Sequence, residues 1–365
     1  MTSRVLYLLT DEISAVLVRG QLGFLVSAGF DVSVGCRLAT PGRPGDGAWD
    51  DGVCVEHLPF EREIAPIADA RALWATWRLV RRVRPDAVHA STPKAGLLGM
   101  LAAWCARVPR RLYLVRGARY ETAVGWRRRL LVGLDRLASA CATDVVFNSA
   151  SLLAAAEDAG AVRRGRGVVF GAGSGNGVDV DRFDPGRLPT VAEARAELGV
   201  PAGDAVVVGF VGRLVADKGI TDLVAAVEAV RREHDVHLLL VGSFEDGDPV
   251  DAATRERIES AGHVTVVPWS DDTGVAYAAM DVLAYPSYRE GLPNVPLEAQ
   301  ACEVPVVGYA AVGTVDAVVG GGGGVLVAVG DSGARAAAVG ARAAAGARRA
   351  GLGRRGGASV GEGLG

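Results

Sequence analysis

Short hydrophobic runs alternate with helix-length segments along most of the first 185 residues. The runs consist almost entirely of apolar residues, as expected for parallel strands that are buried on both faces. The segments between most of them are rich in Ala, Leu and Arg, which favours helices. The pattern predicts a βα series with strands at Val5–Leu9, Asp31–Cys36, Val53–Leu58, Ala87–His89, Leu112–Val115, Asp144–Phe147 and Val168–Phe170.

A second βα series follows a group of turn-forming residues, Pro185, Gly186 and Pro189, that interrupts the first. Two consecutive series predict two doubly wound α/β domains that face each other, residues 1–184 and 185–331. A ligand is expected in the crevice at the carboxyl ends of the strands. The predicted strands of the second domain are Val206–Val211, Leu238–Val241, Val264–Val267, Val282–Tyr285, Val304–Val307 and Val325–Val329.

The C-terminal end of the chain departs from this pattern. Residues 320–365 contain 16 glycines among 46 residues, mixed with Ala and Arg. Each glycine inside a helix costs about 1 kcal/mol relative to Ala, so helices here would be weak. Few large apolar side chains are present after residue 331. We therefore expect residues 332–365 to form a poorly packed tail.

Composition narrows the class of protein. Of 365 residues, 50% are hydrophobic and 22% are charged, which is typical of a globular protein and excludes disorder as the dominant state. The N-terminus lacks the basic segment and cleavage site of a secretory signal. Five cysteines, none in a C-x-x-C motif, favour neither a disulfide framework nor a zinc site. These features predict a cytoplasmic protein.

Charge is unevenly distributed, although the formal net charge is only −3. Residues 71–136, which we call the basic region, carry 15 basic and 3 acidic side chains, a balance of +12. Such an excess favours an anionic partner, although an ordinary solvated arginine-rich surface remains an alternative. Tryptophans are interspersed among the arginines, at Trp74, Trp77, Trp104 and Trp126. Aromatic and cationic residues together suit an anionic membrane surface, and we expect no binding to nucleic acid.

The first candidate site is the segment Gly212–Gly219, which follows a predicted strand and precedes a helical stretch. Its sequence is Gly-Arg-Leu-Val-Ala-Asp-Lys-Gly, with cations at Arg213 and Lys218. A planar guanidinium and an ammonium at the carboxyl end of a strand suit a diphosphate. Taken alone, the segment is equally consistent with a solvent-exposed loop that carries ordinary charges.

The second candidate site follows the strand that ends at Tyr285. Glu290 is expected in a turn before a helix that begins near Pro293 or Asn294. The amides at that helix start can bind phosphate, and Glu298, about one turn into the helix, can bind a ribose diol. An exposed helix glutamate is the alternative interpretation of Glu298.

Together the two segments resemble glycosyltransferase family 4 of the GT-B fold, in which two Rossmann-like domains face each other across a cleft. That family carries a G-R-L-x-x-x-K-G loop and an E-x7-E motif in this order. The resemblance implies that Arg213 and Lys218 bind the donor diphosphate and that Glu290 faces the donor sugar as the third catalytic residue. It implies that Glu298 binds the ribose, and that the other donor-binding residues are Gly212, Gly291, Leu292, Pro293 and Asn294.

The first half resembles a bacterial subgroup that adds N-acetylated sugars to polyprenyl-diphosphate-linked glycans for capsules, O-antigens or glycoproteins. The resemblance rests on Ser91–Gly99, Arg116–Glu121 and Gly173–Asp179. It implies that Lys94, Arg116 and His89 lie on the acceptor or sugar side. Two positions depart from the pattern: Ser91 replaces a second histidine, and Arg116 stands where many members have a histidine that approaches the donor sugar.

The resemblance implies a retaining hexosyltransferase that takes a UDP-sugar as donor and needs neither a cofactor nor a catalytic metal. Its lipid-linked acceptor would be met at the inner face of the cell membrane, where the basic region would hold the protein peripherally. Two alternatives remain: a UDP-sugar 2-epimerase of the same architecture, and a non-catalytic remnant with a degenerate C-terminus. Two D-x-D sequences, at Asp179–Asp181 and Asp246–Asp248, match the motif of metal-dependent transferases, but the match is in sequence alone and we do not expect them to bind a metal.

Overall fold

The computed structural model describes residues 2–18, 20–40, 49–61, 64–173, 177–270, 272–320, 323–331 and 333. The chain divides into two compact units, Met1–Asn176 and Gly177–Gly365. This division precedes the sequence-based boundary after residue 184, because Val178 and Phe183 pack into the hydrophobic core of the second unit. Apart from residue 333, the tail expected at 332–365 lies outside the described residues.

The first unit is built on a parallel sheet with the order β3-β2-β1-β4-β5-β6-β7. Its central strands are buried on both faces, and Leu6, Leu8 and Leu9 of β1 are fully shielded from solvent. The strands are β1 Arg4–Asp11, β2 Asp31–Arg37, β3 Cys54–His57, β4 Ala87–Ala90, β5 Arg110–Val115, β6 Asp144–Phe147 and β7 Gly167–Val168.

Helices connect these strands, and local sequence explains several of their starts. Prolines occupy the first position of α2 and α3, where the missing amide costs nothing. The Ser149 hydroxyl caps α5 by accepting from the Leu152 amide at 3.3 Å. The helices are a 3-10 helix Glu12–Val18, α1 Gln21–Ser27, α2 Pro66–Val83, α3 Pro93–Cys105, α4 Gly125–Cys141 and α5 Ala150–Ala159.

The second unit has a parallel sheet with the order β10-β9-β8-β11-β12-β13. All six residues of β9 are buried. The strands are β8 Val206–Val211, β9 Val236–Val241, β10 Val264–Val267, β11 Val282–Tyr285, β12 Val306–Tyr309 and β13 Gly324–Val327. The helices are α6 Val191–Glu197, a 3-10 helix Ala216–Lys218, α7 Ile220–Val230, α8 Ala252–Ser260, α9 Gly274–Ala279, α10 Asn294–Ala301 and α11 Thr314–Ala317.

The two predicted α/β series are thus confirmed, with small differences at strand ends. The strand predicted at Val304–Val307 begins instead at Val306, because the Val304 amide bonds to the Ala299 carbonyl at the end of α10 and Pro305 has no amide. The strand predicted at Val168–Phe170 is the short β7, two residues long. Within the described residues, no helix combines the length and apolar character needed to cross a bilayer.

Candidate active site

The two motifs of the second unit meet at the carboxyl edge of its sheet. Strands β8 and β11 are neighbours, and the strand order reverses between them, which is where doubly wound sheets bind ligands. Residues 212–219, which follow β8, are called the cation loop below. Residues 286–293, which follow β11, are called the glutamate loop. The predicted diphosphate segment and the predicted glutamate turn therefore lie side by side.

An ion pair between Lys218 and Glu290 joins the loops. Lys218 Nζ donates to Glu290 Oε1, and the two side chains are only 17% and 12% exposed. The Tyr285 hydroxyl, at the end of β11, donates to the same oxygen at 2.6 Å. Burial alone would raise the pKa of Glu290, but the Lys218 charge and the hydrogen bonds from Lys218, Ser287 and Tyr285 hold it below its usual value. Glu290 is therefore ionised at neutral pH.

Backbone contacts fix the cation loop against the glutamate loop. The Tyr288 amide donates to the Asp217 carbonyl at 3.1 Å, and the Arg289 guanidinium pairs with the Asp217 carboxylate. Gly219 has φ +70°, and a Cβ at this position would lie 2.2 Å from the Pro286 carbonyl oxygen. No other residue type fits that approach without moving a loop.

Arg213 lies at the opposite end of the cation loop from Lys218. Its side chain is 59% exposed, and Nη1 donates to Glu245 Oε2 at 3.0 Å. Gly212, with φ +147°, donates its amide to the Val241 carbonyl at 2.9 Å. The structure therefore brings Lys218 and Glu290 into contact, whereas Arg213 is held by a different carboxylate.

Helix α10 begins at Asn294, as predicted, with Pro293 at its N-cap. Glu298, on the second turn, accepts a hydrogen bond from the Tyr277 hydroxyl at 2.7 Å. Burial raises the pKa of Glu298, and the Tyr277 hydrogen bond and the Arg182 charge only partly oppose this. Glu298 is half-buried, so the interpretation as an exposed helix glutamate is wrong.

Gly291 and Leu292 shape the turn that leads into α10. Gly313 approaches this turn so closely that a Cβ on it would lie 2.5 Å from the Gly291 carbonyl oxygen. Leu292 is buried against Leu297 and Ala317. Packing from both sides fixes the start of α10 relative to the glutamate loop.

Sequence reasoning missed the residues that hold the two glutamates. Tyr285 could have been found, because it ends the strand immediately before the glutamate loop. Tyr277 carries no local signal, since it lies on α9, 21 residues from Glu298. Asp217 was visible inside the cation loop, but its role in anchoring Arg289 depends on the fold.

In the first unit, two of the three expected acceptor-side residues interact at the carboxyl edge of the sheet. The Arg116 charge and, more strongly, burial lower the pKa of His89 to about 3, so this imidazole is neutral. Its ring packs on Tyr7 with centroids 4.4 Å apart. Lys94, at the start of α3, instead pairs with Asp69 of α2 at 2.6 Å and is 10% exposed.

Arg116 follows β5 and is half-buried, with its Nε shielded from solvent. Its Nη2 donates to the Leu17 carbonyl at 2.8 Å. Burial lowers the pKa of Arg116 to about 10, which still leaves it charged at neutral pH. In the part of the chain that the structure describes, no group of three or more His, Cys, Asp or Glu side chains could hold a metal ion.

Comparison with known proteins identifies the family of the chain. Residues 205–343 match the family model described as "Glycosyl transferases group 1", and residues 15–173 match "Glycosyl transferase 4-like domain". The chain is 32% identical over 329 residues to the capsular polysaccharide biosynthesis glycosyltransferase CapM of Staphylococcus aureus, covering 90% of this chain and 84% of that protein. The chain belongs to the group 1 glycosyltransferases.

Solved structures agree on the fold of this glycosyltransferase. Sucrose-phosphate synthase from Thermosynechococcus elongatus superposes with a TM-score of 0.80 at 23% identity, covering 99% of this chain and 95% of that one. Anabaena HepE, in complex with UDP and glucose, gives a TM-score of 0.75 at 20% identity with the same coverage. The GT-B fold expected from the motifs is confirmed, and both motifs lie in the group 1 domain.

Proposed function

We propose that this glycosyltransferase transfers a sugar, an N-acetylated hexosamine, from a UDP-sugar to a polyprenyl-diphosphate-linked glycan, with retention of anomeric configuration. The observation that carries the proposal is the contact between Lys218 and Glu290 at the reversal of the second sheet. This contact supports the proposal because a cation that could bind the diphosphate lies next to an ionised carboxylate that could bind the sugar. Similarity to CapM supports a polysaccharide product.

The leaving group of such a reaction is a nucleoside diphosphate, on which negative charge develops as the glycosidic bond breaks. Lys218, Arg213 and the amides at the start of α10 would stabilise that charge, as positioned donors do in other enzymes. These groups supply the charge that a metal ion supplies in other transferases. The proposed role is supported by the presence of two cations, a half-buried lysine and an exposed arginine, on a single loop.

Glu290 would act on the sugar. Because Lys218 keeps its pKa low, the carboxylate can accept hydrogen bonds from sugar hydroxyls and stabilise the positive charge that develops at the anomeric carbon. Glu298, held by Tyr277, would bind the ribose diol. We assign the reaction to same-face attack by the acceptor hydroxyl, assisted by the departing phosphate, rather than to a covalent glycosyl-enzyme.

Transfer assays with a panel of UDP-sugars and a polyprenyl-diphosphate-linked acceptor test this proposal. Lys218→Ala, Arg213→Ala and Glu290→Gln should each lower turnover by about 10²–10³, as is typical for loss of one charge-stabilising group. Arg255→Ala and Glu259→Gln, which break an exposed pair on α8, are the matched controls and should leave turnover unchanged. Near-normal turnover in all three site variants would refute the assignment.

The same assay separates the alternatives. Conversion of a UDP-sugar in the absence of any acceptor would identify a 2-epimerase. Donor binding without transfer or hydrolysis would identify a non-catalytic remnant. Nuclear magnetic resonance of the product reports whether the anomeric configuration is retained.

We further propose that the basic region holds the protein at the anionic inner face of the cell membrane. Helix α2 buries one face through Ala72, Thr76, Leu79 and Val80. Its opposite face carries Trp74, Trp77, Arg78 and Arg81, with two guanidinium groups stacked 4.7 and 5.7 Å from the indole centroids.

Helix α4 adds Trp126, which is 72% exposed, and the exposed arginines Arg127, Arg128 and Arg129. Indoles favour the headgroup level, and each cation near an anionic bilayer contributes about 1 kcal/mol.

Liposome sedimentation tests this membrane contact. Replacing Arg127, Arg128 and Arg129 together with Ser should reduce binding to anionic vesicles, and the reduction should shrink at high salt. The control replaces three exposed arginines outside the basic region, Arg163, Arg164 and Arg232, and should bind as the unaltered protein does. Equal loss in both variants would indicate a nonspecific charge effect.

A further inference from the structure

The carboxyl edge of the first sheet carries several buried polar atoms that have no hydrogen-bond partner among the described residues. They end or follow three neighbouring strands: His89 Nδ1 and Ser91 Oγ at β4, Arg116 Nε at β5, and Asn148 Oδ1 at β6. Ser91 and Asn148 are only 1% and 4% exposed. Folded proteins pair nearly all such atoms, so a cluster of four at one edge indicates a place that a ligand completes.

The charge of Arg116 indicates that this ligand is anionic. Among the described residues, no carboxylate pairs with Arg116, and its Nη2 donates instead to the Leu17 carbonyl. Its neighbours Tyr7 and His89 are neutral at physiological pH, because burial raises the pKa of Tyr7 and lowers that of His89. Arg195 in the second unit shows the usual arrangement: it is 14% exposed and pairs with Asp281 at 2.7 Å. A half-buried guanidinium whose Nε is shielded from solvent and which has no counter-charge is costly, and this favours an anionic ligand.

We propose that Arg116, together with Ser91, binds a phosphate group of a substrate. A guanidinium presents a planar set of N–H donors that matches phosphate oxygens, and the Ser91 hydroxyl supplies a further donor. His89 and Asn148 lie at the same edge, where they can bond hydroxyls of a sugar attached to that phosphate. The strand order of this sheet reverses between β1 and β4, the usual position of a ligand in this architecture.

The inference rests on the proposed function, which supplies two phosphate-bearing substrates. One is the lipid diphosphate of the acceptor, and the other is the nucleotide-sugar donor. Both present a phosphate joined to a sugar, so the chemistry of the site is the same for either. Binding measurements with two soluble probes, farnesyl diphosphate and UDP, separate the two sources.

The test compares Arg116→Gln with Arg164→Gln, a control at an exposed arginine of the same unit. Calorimetric titration of Arg116→Gln should show at least tenfold weaker binding of the probe whose phosphate this site takes. Arg116→Lys, which keeps the charge but not the planar fork, should recover part of that loss. The control should bind both probes within twofold of the unaltered protein, and farnesol, which has no phosphate, should not distinguish the variants.

The binding results decide whether the phosphate site exists and which substrate it binds. Weaker binding of farnesyl diphosphate assigns the site to the acceptor, and weaker binding of UDP assigns it to the donor. Unchanged binding of both probes in Arg116→Gln, or no binding of either probe by the unaltered protein, overturns the proposal. If the unaltered protein transfers no sugar but binds a probe that Arg116→Gln binds at least tenfold more weakly, the proposed function fails and the phosphate site stands.

The melting temperature of Arg116→Gln distinguishes a ligand-binding role from a structural role, because the two roles predict changes in opposite directions. If Arg116 is retained for a ligand, Arg116→Gln removes an unpaired half-buried charge, and the melting temperature of the unliganded protein should stay equal or rise. If Arg116 instead stabilises the fold through its hydrogen bond to the Leu17 carbonyl, the melting temperature of Arg116→Gln should fall. A clear fall, accompanied by loss of binding in Arg116→Lys as well, would identify a structural arginine and refute the site.

Discussion

The carboxyl edges of the two sheets have the same strand order but differ in how their charged side chains are paired. In the second unit the charged groups are paired within the protein: Lys218 with Glu290, and Arg289 with Asp217. In the first unit Arg116 is half-buried beside two neutral side chains, Tyr7 and His89. The comparison teaches that one fold can pair the charged groups at one sheet edge within the protein and leave a guanidinium at the other edge without a carboxylate partner among the described residues.

The largest expected effect comes from breaking the Lys218–Glu290 pair. Lys218→Met or Glu290→Gln leaves the other member enclosed without its partner, which should cost about 3 kcal/mol of stability. The double variant should cost less than the sum of the two single variants. Scanning calorimetry of the second unit's transition checks this. Additive effects would mean that the pair is not energetically coupled, and the contrast with Arg116 would fail.

A smaller loss is expected from Gly219→Ala, which tests whether close loop packing maintains the pairing. The added methyl would meet the Pro286 carbonyl oxygen at 2.2 Å in a backbone region unfavourable to alanine. We expect a loss of about 2 kcal/mol and lower turnover, since the loop that carries Lys218 must shift. The control is Gly247→Ala, because nothing lies within 4 Å of a Cβ there. Equal behaviour of the two variants would refute the packing argument.

The smallest effect concerns a carboxyl group of the first unit. Burial raises the pKa of Asp135 to about 6, opposed by the Tyr113 hydrogen bond and the Arg119 charge. Because the folded-state pKa lies above the unfolded value, ionisation of Asp135 destabilises the fold. The cost is absent below about pH 4, develops as pH rises to about 6, and is complete above it.

Replacing this carboxyl group should therefore change the pH dependence of stability. Asp135→Asn should melt higher than the unaltered protein at pH 8, and the difference should vanish near pH 4. Melting curves across this range measure the effect, with exposed Asp158→Asn as control. A difference that does not vary with pH would show that the Asp135 charge is not opposed by its surroundings.

Sequence reasoning succeeded where local pattern determines structure. Hydrophobic runs located β8 and β11 to the residue, and the start of α10 followed from Pro293. The cation loop and Glu290 were predicted from their positions after two strands and from the resemblance to a family, and the structure brings Lys218 of that loop into contact with Glu290. Reasoning from local pattern could not find Tyr277, because its partner Glu298 is brought to it only by the packing of α9 against the rest of the unit. Nor could it anticipate that Arg116 lacks a carboxylate, which is a property of the folded neighbourhood.

The contact between Gly219 and the Pro286 carbonyl has a consequence for protein engineering. The two loops lie far apart in the sequence, yet they share backbone contacts at Asp217–Tyr288 and at this glycine. One way to alter such a pair of loops is to exchange one of them for the corresponding loop of a relative. In this protein such a graft would have to import both segments as a single cassette, because neither backbone can change its path without displacing the other.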